Sequence, residues 1–93
     1  MPEHIGFVGI VRRVSEDGRF GFIQRATIRR EDQGSVGVSL KDDVYVHCSF
    51  GKSGNTVRLT DGLELRFLLG PNVRHAGKLQ AFYIERLVAG GAS

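Results

Sequence analysis

Large apolar side chains recur at every second position in several short runs of this chain, the spacing of a pleated strand with one face turned to a core. IGFVGIVRRV (Ile5 to Val14) is rich in β-branched residues, and FGFIQ (Phe20 to Gln24) and DVYVHC (Asp43 to Cys48) alternate ring and aliphatic side chains. LELRFLL (Leu63 to Leu69) and LQAFYIERL (Leu79 to Leu87) complete a set of five expected strands, with no helix. Phe20 and Phe22 then share one face, as do Tyr45 and His47, while Val44, Val46 and Cys48 take the other.

Turn chemistry separates these runs. SEDG (Ser15 to Gly18) suits a tight hairpin between the first two strands, and TDG (Thr60 to Gly62) marks the turn into the fourth. GPNVRHAGK (Gly70 to Lys78) reads as the loop between the last two. Two longer segments interrupt the scheme. Residues 24–42, QRATIRREDQGSVGVSLKD, exceed an ordinary loop, and ATIR and SVGVSL are able to extend strands two and three as an exposed hairpin turning at EDQG. Ser49 to Gly62 is polar and glycine-rich, the composition of a surface loop. The folded domain is expected over residues 5–88, with residues 1–4 and 89–93 as flexible termini.

Five short strands cannot bury both faces of a flat sheet in so small a chain. Closing them into a barrel gives the inward side chains a common core and removes the edges. The fold class expected is therefore all-β, a five-stranded antiparallel barrel of the OB type, with a long insertion between strands 2 and 3.

Composition narrows the function more than the fold. With 41% hydrophobic and 25% charged residues the chain is an ordinary globular domain, and 13 Lys and Arg against 10 Asp and Glu leave a formal charge of only +3. The placement of charge says more, because Arg12, Arg13, Arg19, Arg25, Arg29 and Arg30 all fall in the first third. A basic region of this kind attracts nucleic acid or an acidic membrane surface, or simply forms a solvated face. Cys48 is the single cysteine, no apolar run is long enough to span a bilayer, and MPEHIGFVG lacks the pattern of a secretory signal. A cytoplasmic location and no membrane partner are the resulting expectations.

GRFGFIQR (Gly18 to Arg25) puts two phenylalanines two residues apart among glycine and arginine. Rings on the outside of adjacent barrel strands form a platform on which unpaired bases stack, and arginine beside them neutralises phosphate. The competing reading turns Phe20 and Phe22 into the core. Ile23, Val44, Val46 and Val11 decide between the two, since these β-branched residues suit the inner face and leave the rings outside.

These residues resemble the cold-shock domain family. Gly18-Arg19-Phe20-Gly21-Phe22-Ile23 is similar to that family's first ribonucleoprotein motif, and Val44-Tyr45-Val46-His47-Cys48 to its second. Gly9-Ile10-Val11, Asp61-Gly62, and Gln80-Ala81 with Ile84 fit in the same order, so the resemblance covers roughly residues 6–87. It implies an OB-type barrel that binds single-stranded RNA or DNA, in RNA chaperoning or post-transcriptional regulation. It also implies stacking by Phe20, Phe22, Tyr45 and His47, with Arg12 as a basic neighbour. Arg13, Arg19, Arg25 and Lys78 complete the expected nucleic-acid-binding set. The departures are Arg13-Val14 where the family carries Trp-Phe, Cys48 where it carries phenylalanine, the absence of tryptophan, and the expanded 24–42 segment. They predict a smaller, more charged platform whose binding is weaker and more salt-sensitive, and introducing Arg13→Trp and Val14→Phe together is expected to restore stacking. Within the expanded segment, Arg25, Arg29 and Arg30 leave two readings open, a phosphate-binding arm and a solvated hairpin.

Catalytic patterns are weak. His4, His47 and His75 are scattered, the thiol stands alone, and Glu31, Asp32, Asp42 and Asp43 flank turns, so no enzyme activity, metal or cofactor is expected. The alternative function is a degenerate cold-shock-like barrel that serves as a scaffold, meeting protein partners through residues 24–42.

Overall fold

Each alternating run becomes a strand wherever a turn returns it to a neighbour. A computed structural model of the chain describes residues 6–33, 37–72 and 74–87; the expected flexible termini lie outside the described residues. The strands are β1 (Phe7–Arg12), β2 (Phe20–Ile23), β3 (Arg29–Arg30), β4 (Val44–His47), β5 (Glu64–Pro71) and β6 (Leu79–Arg86). No α-helix occurs among the described residues, and the remaining elements are single 3₁₀ turns.

Pairing runs β1 to β2, β2 to β4, β4 to β6, β6 to β5 and β5 back to β1, which closes a five-stranded barrel; β3 is a short addition beside β1. The barrel is mixed and not antiparallel throughout, because β4 and β6 run parallel where Tyr45 faces Gln80. Parity requires this. Antiparallel neighbours must alternate in direction, and an odd number of strands cannot alternate all the way round a closed ring. A bulge opposite Arg66–Leu68 helps β6 bend between its two neighbours.

The core holds Val11, Ile23, Val44, Val46, Leu65, Phe67, Ala81 and Ile84, all essentially without solvent exposure. Fully burying an aliphatic or phenyl side chain contributes about 1.5–3 kcal/mol, so this cluster is what holds the barrel closed. Gly21 faces the same interior. A Cβ there would come within 3.2 Å of the Val11 and Val14 side chains, so glycine lies between the two phenylalanines because the inside of β2 has no room.

Both long segments contribute to the core, which the sequence reading did not expect. After β2 the chain makes a 3₁₀ turn, Arg25–Thr27, whose Thr27 hydroxyl accepts the Ile10 N–H at 2.9 Å. It then rejoins β1 as β3 and buries Ile28 at 1% exposure. Arg29 bridges Gly37, so the two sides of the expected hairpin do meet, but an apolar anchor holds it against the barrel. Its turn falls partly on residues 34–36, outside the described residues. The Ser49 to Gly62 segment is likewise more than a surface loop, because it carries Leu59 into the core and packs Gly51 beside Ile84.

Candidate nucleic-acid interface

The β2–β4 register brings the rings together. Phe20 stands opposite His47 and Phe22 opposite Tyr45, while Gly21, Ile23, Val44 and Val46 alternate inward. Cross-strand neighbours share a face, so four rings form one block on the outside of the barrel. Phe20 and Tyr45 stack at 6.3 Å between centroids, and Phe22 meets Tyr45 edge-on at 5.8 Å. Phe20 is the most open of the four at 42% exposure.

This block floors an open groove of about 1220 Å³. Of the residues singled out in the sequence, the groove brings together Arg13, Arg19, Phe20, Phe22, Arg25, Tyr45, His47 and Lys78. Arg12 is not among them. It lies opposite Phe22 in the β1–β2 register, but its guanidinium pairs with Asp61 at 3.2 Å. Arg29 and Arg30 are also elsewhere, paired with Glu64 at 3.4 Å and Asp32 at 3.2 Å. Of the proposed three-arginine arm, only Arg25 reaches the groove.

Arg13 has φ of 57° and places its guanidinium 4.7 Å above the centre of the Phe22 ring while pairing with Asp43 at 2.9 Å. The left-handed residue interrupts the alternation along β1 and turns Val14 toward the core cluster and Gly21. Val14 therefore does not occupy a ring position on the groove, contrary to the sequence expectation.

Carboxylates restrain other cations of the groove. Lys78 pairs with Asp42 at 3.1 Å, and Arg19 with Asp17 at 3.4 Å. The Ser15 hydroxyl donates to Asp17 at 2.7 Å, and with the Arg19 N–H it holds this carboxyl below the usual carboxylate range. The Arg25 N–H donates to Asp43 at 3.0 Å, and its guanidinium donates to the Lys41 carbonyl. Lys41 and Arg74 also line the groove and have no carboxylate partner among the described residues.

Several lining residues had no signal in the sequence. The loop after β5 is organised by the buried Asn72, whose Oδ1 accepts the N–H groups of Arg74 at 2.8 Å and His75 at 3.2 Å. That turn brings Arg74 and His75 to the groove. Phe50 joins from the 3₁₀ turn after β4, where strand periodicity no longer predicts direction. No metal-ligating cluster of His, Cys, Asp or Glu occurs among the described residues, and no helix there is long and apolar enough to cross a membrane.

No protein-family model matches this chain, and no curated protein sequence does.

Proposed function

We propose that this barrel binds single-stranded nucleic acid, RNA foremost, by stacking bases on Phe20, Phe22, Tyr45 and His47 while groove cations meet phosphates. The observation that carries this reading is the ring block itself. Four aromatic side chains from two adjacent strands lie in register on the outside, beside arginine and lysine, where a core would have used them inside. Planar rings accept the face of any base, worth ~1–3 kcal/mol each by alanine substitution. The strand order, with its parallel closure between β4 and β6, is compatible with an OB-type barrel and supports the resemblance to cold-shock domains. On that resemblance, the role is RNA chaperoning or post-transcriptional regulation inside the cytoplasm.

Fluorescence anisotropy with labelled single-stranded RNA and DNA pools at two salt concentrations tests the reading. The double substitution Phe20→Ala and Tyr45→Ala should leave the barrel folded by circular dichroism and weaken binding by ~2–6 kcal/mol. A folded double variant that binds as well as the parent would remove the ring platform. A parent that binds neither pool would instead favour a scaffold barrel whose surface meets protein.

A further inference from the structure

Phe50 is a phenyl ring in the groove that neither ribonucleoprotein-like motif contains. It lies in the 3₁₀ turn Cys48–Phe50, is 38% exposed and lines the same groove as the ring block. Its position is built from two sides. The His47 imidazole caps the turn by accepting the Ser49 N–H at its Nδ1, 3.1 Å away, with the Ser49 hydroxyl 2.9 Å from the same nitrogen. Behind Phe50, the Phe82 ring of β6 packs edge-on at 5.3 Å. Phe82 itself covers Gly70, where a Cβ would lie 2.6 Å from that ring. Such a buttress limits the rotamer freedom that an exposed phenylalanine ordinarily keeps, so little entropy is lost when a ligand lies on it.

The centroid of Phe50 lies 6.3 Å from that of His47, the same separation as between Phe20 and Tyr45. The two planes differ by 81°. A base lying flat on Phe50 would thus stand nearly perpendicular to one lying flat on His47. A single strand can make that change, since the torsions between successive unpaired nucleotides are free to turn one base out of the stack of the last.

We propose that Phe50 is an additional base-stacking subsite, which extends the ring platform by one nucleotide past His47 and turns the strand there toward β6. The ligand class is an unpaired nucleobase, and the assignment rests on the single-strand reading above. His47 has two duties in it, offering its own ring and capping the turn that presents the next.

Binding of the full chain to labelled homopolymeric RNA of graded length, from ~3 to ~12 nucleotides, tests the assignment. Phe50→Ala should weaken binding about fivefold to a hundredfold for oligonucleotides long enough to reach the subsite, and leave the shortest ones unaffected. Phe50→Leu keeps an apolar contact for Phe82 but has no planar face, and should show the same length-dependent loss. Loss of equal size at every length, or a leucine variant indistinguishable from the parent, would overturn the subsite in favour of a packing role. A parent that binds while Phe50→Ala matches it at all lengths would overturn the subsite alone. A parent that binds no oligonucleotide would overturn the single-strand reading, and the subsite with it.

Discussion

Phe20 and Phe22 are two residues apart on one strand face, yet they should contribute unequally to binding. Phe20 has its outer face open, whereas the Arg13 guanidinium lies 4.7 Å above Phe22 and is held there by Asp43 at 2.9 Å. A base can stack directly on Phe22 only by displacing that cation. An exposed cation–π contact is worth ~0.5–1 kcal/mol and an exposed ion pair ~0–1 kcal/mol, so displacement costs about 0.5–2 kcal/mol. Set against ~1–3 kcal/mol for the stack, this leaves Phe22 with about 1 kcal/mol of net benefit, roughly a fivefold effect. Phe20 has no such lid and should realise the full range.

The assay is anisotropy with one labelled single-stranded RNA that the parent binds, run on Phe20→Ala, Phe22→Ala and Arg13→Ala. Phe20→Ala should weaken binding about fivefold to a hundredfold, and Phe22→Ala by less, no more than about fivefold. Arg13→Ala uncovers the Phe22 ring while removing a cation already matched by Asp43, so it should tighten binding by up to the displacement cost, about 0.5–2 kcal/mol. In the Arg13→Ala background, Phe22→Ala should become as costly as Phe20→Ala. If Phe22→Ala equals or exceeds Phe20→Ala in the parent chain, the lid does not compete with bases and the reasoning fails.

Neutralising Lys41 and Arg74 together should reduce the slope of log K against log salt by about 1.4, two phosphate contacts at ~0.7 each, while Arg29→Ala with Arg30→Ala should leave it unchanged. Gly51→Ala should destabilise the fold by ~1–3 kcal/mol in urea titrations, because the new Cβ would meet the Asn55 carbonyl, whose carbon lies 2.8 Å from that position. Val14→Phe should lower stability and add no affinity, since Val14 packs on the core cluster and Gly21; a folded variant with tighter, salt-resistant binding would contradict that. Asp17 titrates lower in the fold than when unfolded, because Ser15 and the Arg19 N–H favour its charged form, so its contribution holds above the ordinary carboxylate range and is lost as pH falls through the lowered value. The Arg19 amide resonance should report this loss on acidification, and Asp17→Asn should abolish that titration.

The inner and outer faces of β2 and β4 were legible because the sequence separates residue types cleanly at period two. β-branched chains went in, and rings stayed out beside charge. That rule failed just past β1, and the reason is a single backbone dihedral. Continuing the alternation from the buried Val11 puts Arg13 inside and Val14 outside, but φ of 57° at Arg13 resets the phase. No propensity marks an arginine for the left-handed region. The site supports the conformation from outside, with the Arg13 N–H donating to Asp61 at 3.3 Å and its guanidinium lying between Asp43 and Phe22. Ile28 was hidden for a different reason. The three-residue turn before it shifts the chain relative to β1, so its burial depends on a tertiary contact that local pattern does not encode. The parallel closure of β4 on β6 is likewise a property of the ring and of no segment within it.

Charge was the least legible quantity, because a cation's worth to a ligand depends on what already holds it. The cluster of arginines in the first third and the missing rings led to the expectation of a more charged platform with more salt-sensitive binding. In the groove, however, Arg13, Arg19 and Lys78 are matched by Asp43, Asp17 and Asp42 at 2.9–3.4 Å. A phosphate that recruits one of these cations must replace a carboxylate of comparable charge, so the gain is a difference between two similar contacts. On the proposed reading, fewer counterions should be released than the arginine count implies. Among the described residues, Phe22 is the one ring of the block with a cation over its face. The balance therefore moves from phosphate neutralisation toward stacking, and the groove should bind with a shallower salt dependence than its composition suggests. On the proposed reading, the same carboxylates disfavour anions that bring no base to stack, so the groove should favour unpaired nucleotides over phosphate alone.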